Sequence, residues 1–230
     1  WAADKGCQTV NIDRSAPEGA SIDGSELSDF ILAARDNNLP VISKVGELNR
    51  GEAARLLETG AVGVQLPRTE SREQLEELID YMKFPPVGTR ANAPCYGNVD
   101  YVFPDNDAKW LRQADASVAV VAHIETQKGY ENIDEIVSTP IVDMVYLGTY
   151  DFSISMGHPG EYDHPTVKKG IAKVLAACKK HGVPFGTTAS GPAAAKQWVK
   201  KGCRFFEIID ELTMIKRVSA ETVDAYHKFC

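Results

Sequence analysis

Cysteine is scarce and unpatterned in this sequence. Cys7, Cys95, Cys178, Cys203 and Cys230 are odd in number, widely spaced and never form a C-x-x-C pair. That spacing argues against a disulfide framework or a zinc knuckle and makes a reducing cytoplasm the expected compartment. Basic charge is also short, with 25 Lys and Arg against 32 Asp and Glu and a net charge of −7. Phosphate binding needs clustered cations, so no nucleic-acid partner is expected. The Lys-Lys pairs at 168–169, 179–180 and 200–201 lie on helical patterns and read as solvated faces or helix C-terminal ends. No apolar run reaches the roughly 18 residues of a membrane span, nothing at the start reads as a secretory signal, and no membrane partner is expected. No Pro/Gly/Ser-rich stretch divides the chain, so residues 1–230 are expected to form a single domain. No G-x-G-x-x-G follows an early strand, which weakens a dinucleotide-binding reading.

What the sequence does have is alternation. Short aliphatic or β-branched runs recur at 8–13, 40–45, 61–66, 118–125, 142–148, 183–188 and 204–210. Amphipathic stretches separate them at 25–38, 49–60, 69–83, 107–117, 130–139, 165–182 and 191–202, and a closing helix is expected over 211–229. Acids in the first turns after Ser25 and Thr69 read as helix starts, and Gly60, Gly182 and Gly202 as C-terminal stops. Strand–helix alternation with short joints implies parallel strands joined by crossovers. The spacing predicts a (β/α)8 TIM barrel with its first strand missing from the given chain. The opening "WAADKGCQTV" reads as the tail of a helix entering a strand, so the domain is expected to be incomplete at its N-terminus. A doubly wound open sheet is the competing architecture.

In a barrel, chemistry gathers where strands end. The polar residues at those ends are Asp13, Lys44, Gln65, Glu125, Asp151, Thr187, Thr188 and Asp210. Glu125 closes "VAVVAHIE" and Asp151 follows "VDMVYLG", so neighbouring strands would hold both carboxylates at one rim. Two such groups repel and desolvate poorly unless a cation joins them, and Mg²⁺ takes one or two protein carboxylates while keeping sites for substrate oxygens. From the residues alone the alternative stands level: acids at strand ends also serve as helix N-caps.

The stretch "VVAHIETQKGYENIDEIVSTPIVDMVYLGTYDFSISMGHPGEYDHPTV" resembles the core of the HpcH/HpaI aldolase family, the metal-dependent class II pyruvate aldolases. Members read V-Q-I-E-T, an N-L-D-x-I stretch, V-D-x-x-x-I-G-P-x-D-L-S and M-G-x-x-G-x-x-x-H-P. The likeness continues more weakly through "LLETGAVGVQLPRTES", "KFPPVGTR" and "IIDELTMI". It implies a pyruvate-binding TIM barrel and carbon–carbon lyase chemistry on a 2-oxo acid through a pyruvate enolate. It implies a divalent cation (Mg²⁺, Mn²⁺ or Co²⁺) on Glu125 and Asp151, and a substrate carboxylate received by the backbone around Gly148, Thr149, Tyr150 and Asp151. It further implies a homo-oligomer, a hexamer or a dimer, with closing helices packed between neighbours.

The departures from the family pattern fall on its acid–base residues. "NIDRSAPEG" is one residue short, so Asp13 remains while Arg14 or Ser15 stands where the family has His. Ser43 or Lys44 stands where an enolate-stabilising Arg is usual, and His123 replaces a Gln. His123 points the same way as Glu125 on a strand and is a candidate general base or third ligand, or else a histidine packed in the barrel. Lys44 is a candidate source of positive charge unless alternation turns it outward, Asp13 is a candidate for proton transfer, and Gln65 and Arg14 are candidates for substrate contact. Oxaloacetate-type decarboxylation needs no base, and a non-catalytic barrel binding a keto acid or metal is the remaining alternative. Arg90 reads as structural or catalytic, Tyr96 and Tyr101 as a lid or an oligomer contact, and His158 and His164 as parts of a structured turn.

Overall fold

Local chemistry sets the helix ends. The Asn49 side chain accepts from the Glu52 N–H, and Ser71 and Gln74 form a reciprocal capping box. Gly60 and Gly182 close their helices in the left-handed conformation that an L side chain rarely adopts. The start of the helix expected after Thr69 falls two residues later, at Ser71, because the Thr69 hydroxyl is engaged with Leu66 O and the His123 N–H.

The computed structural model describes residues 8–14, 24–92, 95–208 and 210–229. The helix tail expected at residues 1–7, and Ser15, lie outside the described residues. The chain runs β1 (Val10–Asp13), α1 (Gly24–Asp36), β2 (Val41–Lys44), α2 (Arg50–Thr59), β3 (Gly63–Leu66) and α3 (Arg72–Met82). It continues through α4 (Asp107–Ser117), β4 (Ala119–Ile124), α5 (Gln127–Glu131), α6 (Ile133–Val137), β5 (Met144–Leu147) and α7 (Thr149–Ser155). Last come α8 (Pro165–His181), β6 (Phe185–Thr188), α9 (Pro192–Lys200), β7 (Cys203–Glu207) and α10 (Glu211–His227).

All seven strands are parallel and pair in sequence order, β1 to β7. Alternation divides each strand between two environments. Val64, Leu66, Val120, Ala122, Ile124, Val145 and Leu147 belong to the buried cluster shared with Leu56, Leu57, Leu75, Leu78, Ile133, Ile136 and Val174 of the helices. Burying each of the Val, Leu and Ile side chains among them contributes about 1.5–3 kcal/mol. The opposite face carries Asn11, Lys44, Gln65, His123, Tyr146 and Glu207, a polar interior. The sheet curls until its ends meet there, for Asn11 Nδ2 on β1 donates to Glu207 Oε1 on β7 at 2.7 Å. The described residues form seven curled strands, and among them no backbone pairing joins β1 to β7.

Candidate active site

The site is built where strands end. Glu125 follows β4 and Gly148 follows β5, a neighbouring strand, with His123 and Tyr146 in direct register. Glu125 is 5% exposed. Its Oε1 accepts from the Arg68 N–H at 2.8 Å, and Arg68 reaches that position in a left-handed conformation (φ 47°) unusual for a residue with a side chain. Burial pushes the Glu125 carboxyl above its ordinary range; Lys44 and the Arg68 N–H pull it back, and the charge of Asp151 raises it again. Asp151 sits in the first turn of α7, a helix whose start has no side-chain cap. A Cβ on Gly148 would lie 2.4 Å from His123 Nε2 and 3.2 Å from Glu125 Oε2, so only glycine lets the strand end pass this close.

His123 is held by a directional chain of hydrogen bonds. Glu207 accepts at both oxygens, from Asn11 Nδ2 at 2.7 Å and from the Tyr146 hydroxyl at 2.7 Å. Asn11 Nδ2 also donates to Gln65 Oε1 at 2.9 Å, which turns the Gln65 amide nitrogen to His123 Nδ1, again at 2.9 Å. Nδ1 is therefore an acceptor and the proton of the neutral ring sits on Nε2. Nε2 is buried without a hydrogen-bond partner, although Glu125 Oε2 is 3.2 Å away. Burial, with Lys44 adding to it, pushes the imidazole down to about 3. Of the roles expected for His123, base, third ligand or packed histidine, these surroundings favour a packed, neutral ring that presents its N–H over a base titrating near neutral pH.

Lys44 faces inward. It is 8% exposed, its Nζ lies 3.3 Å from Asp13 Oδ2, and its charge acts on His123, Glu125 and Glu207. Asp13 is more open at the rim, with 57% of its side chain exposed. Arg14 turns away to Glu52 at 3.3 Å. Thr188 reaches the Tyr146 hydroxyl at 2.6 Å, whereas Thr187 bonds the backbone of Leu147 outside the site. Asp210 caps α10 through the Thr213 N–H, which is the N-cap alternative realised at that strand end.

A carboxylate raised by burial and by the charge of Asp151, at a strand end left open by glycine, fits a small divalent cation with oxygen ligands. The model of the HpcH/HpaI aldolase/citrate lyase family matches residues 18–214. The chain belongs to this family. Over 175 residues it is 29% identical to the 5-keto-4-deoxy-D-glucarate aldolase of Klebsiella pneumoniae, covering 76% of this chain and 67% of that one. The HpcH/HpaI aldolase structure from Desulfitobacterium hafniense DCB-2 superposes with a TM-score of 0.90 at 27% identity, over 98% of this chain and 85% of that one. A Burkholderia cenocepacia J2315 protein of the HpcH/HpaI aldolase/citrate lyase family gives 0.87 at 27% identity, over 98% and 88%.

The Gly148 N–H already donates to Ile124 O at 3.1 Å, so the N–H groups open to a ligand begin at Thr149. Tyr150 is 60% exposed. Arg90 is buried over the Phe84 ring at 4.6 Å, a contact that suits the structural alternative. The loop with Tyr96 and Tyr101 packs by Gly97 against Thr59 at the end of α2, on the rim opposite the site. Sequence reasoning missed Asn11, Tyr146 and Glu207. For two of them the signal was parity, since Asn11 stands two residues before Asp13 and Tyr146 two before Gly148; Glu207 stands three before Asp210 and had no such signal.

Proposed function

We propose that this chain is a divalent-metal-dependent carbon–carbon lyase of a 2-oxo acid, acting by aldol-type cleavage or condensation through a pyruvate enolate. The observation that carries the reading is the sheltered Glu125 carboxylate, raised by burial and by Asp151 and approached closely only because residue 148 is glycine. Glu125 and Asp151 would hold Mg²⁺, Mn²⁺ or Co²⁺. When bound, the cation supplies Lewis-acid polarisation of the keto acid and takes up charge developing on the enolate. The rest falls to the protein. The N–H groups of Thr149, Tyr150 and Asp151 at the uncapped start of α7 receive the substrate carboxylate. Lys44 supplies positive charge from the interior, and the neutral His123 Nε2–H is aimed at developing negative charge as a donor. Gln65, Asn11 and Glu207 hold that ring in place. Gln65 is a positioning residue in this reading, while Asp13 offers an exposed carboxylate for proton transfer at the rim. Arg14 serves the rim only if it leaves Glu52.

A second reading is favoured by one observation. With its pKa pushed down to about 3, His123 is a poor proton acceptor. Decarboxylation of an oxaloacetate-like acid fits the same residues, because CO₂ departs without a proton being taken. Pyruvate methyl-proton exchange into D₂O, with added Mg²⁺, Mn²⁺ or Co²⁺, tests the first reading. Exchange that Glu125→Ala abolishes supports it. Oxaloacetate decarboxylation without pyruvate exchange moves the assignment to the second, and tight metal binding with neither reaction leaves a keto-acid-binding barrel.

The proposal extends to assembly. An eighth strand between β7 and β1 would complete the (β/α)8 wheel, at the gap the Asn11–Glu207 bond already spans. Self-association, as a hexamer or a dimer, is favoured by α10, none of whose residues is buried. A cytoplasmic setting suits the free thiols of Cys95, Cys178 and Cys203. No described helix is long and apolar enough to cross a membrane.

A further inference from the structure

The loop between α7 and α8 carries His158, Glu161 and His164, three residues apart. Among the described residues they are the group of three metal-ligating side chains whose donor atoms all lie within 4.8 Å of one another. The structured turn expected there is present, since the Glu161 N–H donates to His158 O and the His164 N–H to Glu161 O, both at 3.0 Å. The loop is also tied back to α7. The His158 N–H donates to Ser153 O at 2.8 Å, the Gly160 N–H to Ser153 Oγ at 2.9 Å, and Ser153 Oγ to Tyr150 O at 2.7 Å. Backbone therefore presents the three side chains on one side before any ligand arrives.

Their donor atoms are near enough to share one ion, and turning the two rings apart about χ2 would aim both lone pairs at it. The two imidazoles stack with centroids 3.4 Å apart and planes 20° from parallel, and His158 Nδ1 lies 3.6 Å from Glu161 Oε2. Ligand bonds of about 2.0–2.1 Å in a tetrahedral site set donors about 3.3–3.5 Å apart. Two imidazoles and a carboxylate suit Zn²⁺, Co²⁺ or Ni²⁺, whereas Mg²⁺ and Ca²⁺ prefer oxygen alone. We propose that His158, Glu161 and His164 bind a divalent transition ion such as Zn²⁺, with water in the fourth position, at a site separate from the Glu125–Asp151 pair. The ion fastens the loop to α7, the helix whose first turn carries Asp151. One contact is given up: His164 Nδ1 accepts from the Thr166 N–H at 3.3 Å, and a neutral imidazole has a single lone pair to offer. Whichever nitrogen takes the ion, that N–H turns to water, which is at hand at an exposed helix start.

The test needs no catalysis and stands apart from the lyase reading. The chelator-stripped chain is titrated with Zn²⁺ by calorimetry and with Co²⁺ by absorption, in two settings that silence the carboxylate pair. One is the Glu125→Gln/Asp151→Asn chain and the other is wild type in saturating Mg²⁺. One ion per chain is expected in both, with the intense visible bands of four-coordinate Co²⁺. Melting temperature rises on the order of 5 °C at free Zn²⁺ about a hundredfold above the dissociation constant. His158→Gln, and His164→Asn, which keeps an acceptor for the Thr166 N–H, each weaken binding at least tenfold while circular dichroism of the metal-free chain is unaltered. Zn²⁺ affinity retained in both histidine variants, or no Zn²⁺ bound by Mg²⁺-saturated wild type, overturns the proposal.

Discussion

At Gly148 the missing side chain is the functional group. A methyl there meets His123 Nε2 at 2.4 Å and Glu125 Cβ and Oε2 at 3.2 Å, and all three atoms belong to buried groups that cannot swing aside. Gly148→Ala is expected to lose about 1–3 kcal/mol of stability from overpacking. It should also lower pyruvate exchange on the order of a hundredfold by moving the carboxylate. Denaturant midpoints and exchange rates check both, and an active, equally stable variant would show that the close approach is incidental. Glu207 gives a pH signature. Burial raises its pKa above the ordinary glutamate value of 4.5, so the folded state binds this proton more readily than the unfolded one. Its contribution is fully present below 4.5 and is lost as pH rises through the folded value. Wild type should therefore gain stability relative to Glu207→Gln as pH falls from neutrality towards 4.5, and a pH-independent difference removes the carboxylate from the account. The site was legible in part. Glu125 and Asp151 announce themselves as acids after apolar strands, whereas the Arg68 N–H and the uncapped turn at Thr149 are backbone features with no residue-type signature. His123 looked like a base because its residue type titrates near neutrality; burial, which no single residue reveals, decided otherwise.

Among the elements, period and punctuation carried most of the information. Six strands fall within the runs expected and β7 starts one residue before its run, at Cys203, because a parallel strand covered on its outer face leaves a compact aliphatic stretch bounded by glycine or polar residues. Two helices escaped. Residues 130–139 form parts of α5 and α6, broken at Asn132, which leaves the helical conformation and bonds Glu70 O through its side chain. Helix α7 was hidden because its seven residues are too few to show a period, yet it positions Asp151. What holds α7 is Phe152, fully buried, edge-on to Tyr130 and against Gly170 of α8. A Cβ at residue 170 would lie 2.6 and 2.9 Å from the Phe152 ring. Alanine gains about 1 kcal/mol of helix propensity over glycine, but overpacking costs about 1–3 kcal/mol and the ring has nowhere to go. Gly170→Ala is thus expected to be net destabilising by about 1 kcal/mol and to depress exchange through Asp151. A higher urea midpoint for the variant would mean that Phe152 yields freely and that α7 is held elsewhere.

For the whole molecule, two surfaces are out of keeping with a chain that works alone. The interior is polar and closes by a side-chain bond between β1 and β7, while α10 offers Leu212, Ile215, Val218, Val223 and Tyr226 to solvent at 50% exposure or more. Those residues recur at helical spacing along one stripe, and Ile208 and Phe229 extend it at either end. If the stripe is the interface of the proposed self-association, its occupant is a second copy of the chain. Burying an isoleucine or valine contributes about 1.5–3 kcal/mol, so Ile215→Lys with Val218→Asp should weaken association on the order of a hundredfold or more. Light scattering after size exclusion then separates the outcomes. Wild type should elute as a dimer or larger and the double variant as a monomer with its sheet intact by circular dichroism. A wild type that stays monomeric at high concentration, or a variant that assembles unchanged, would place the partner of α10 elsewhere. Because the stripe lies on the helix that follows β7, monomerisation should also loosen the Glu207 end of the hydrogen-bond chain. Pyruvate exchange would then fall in the double variant even though neither substituted residue reaches the site.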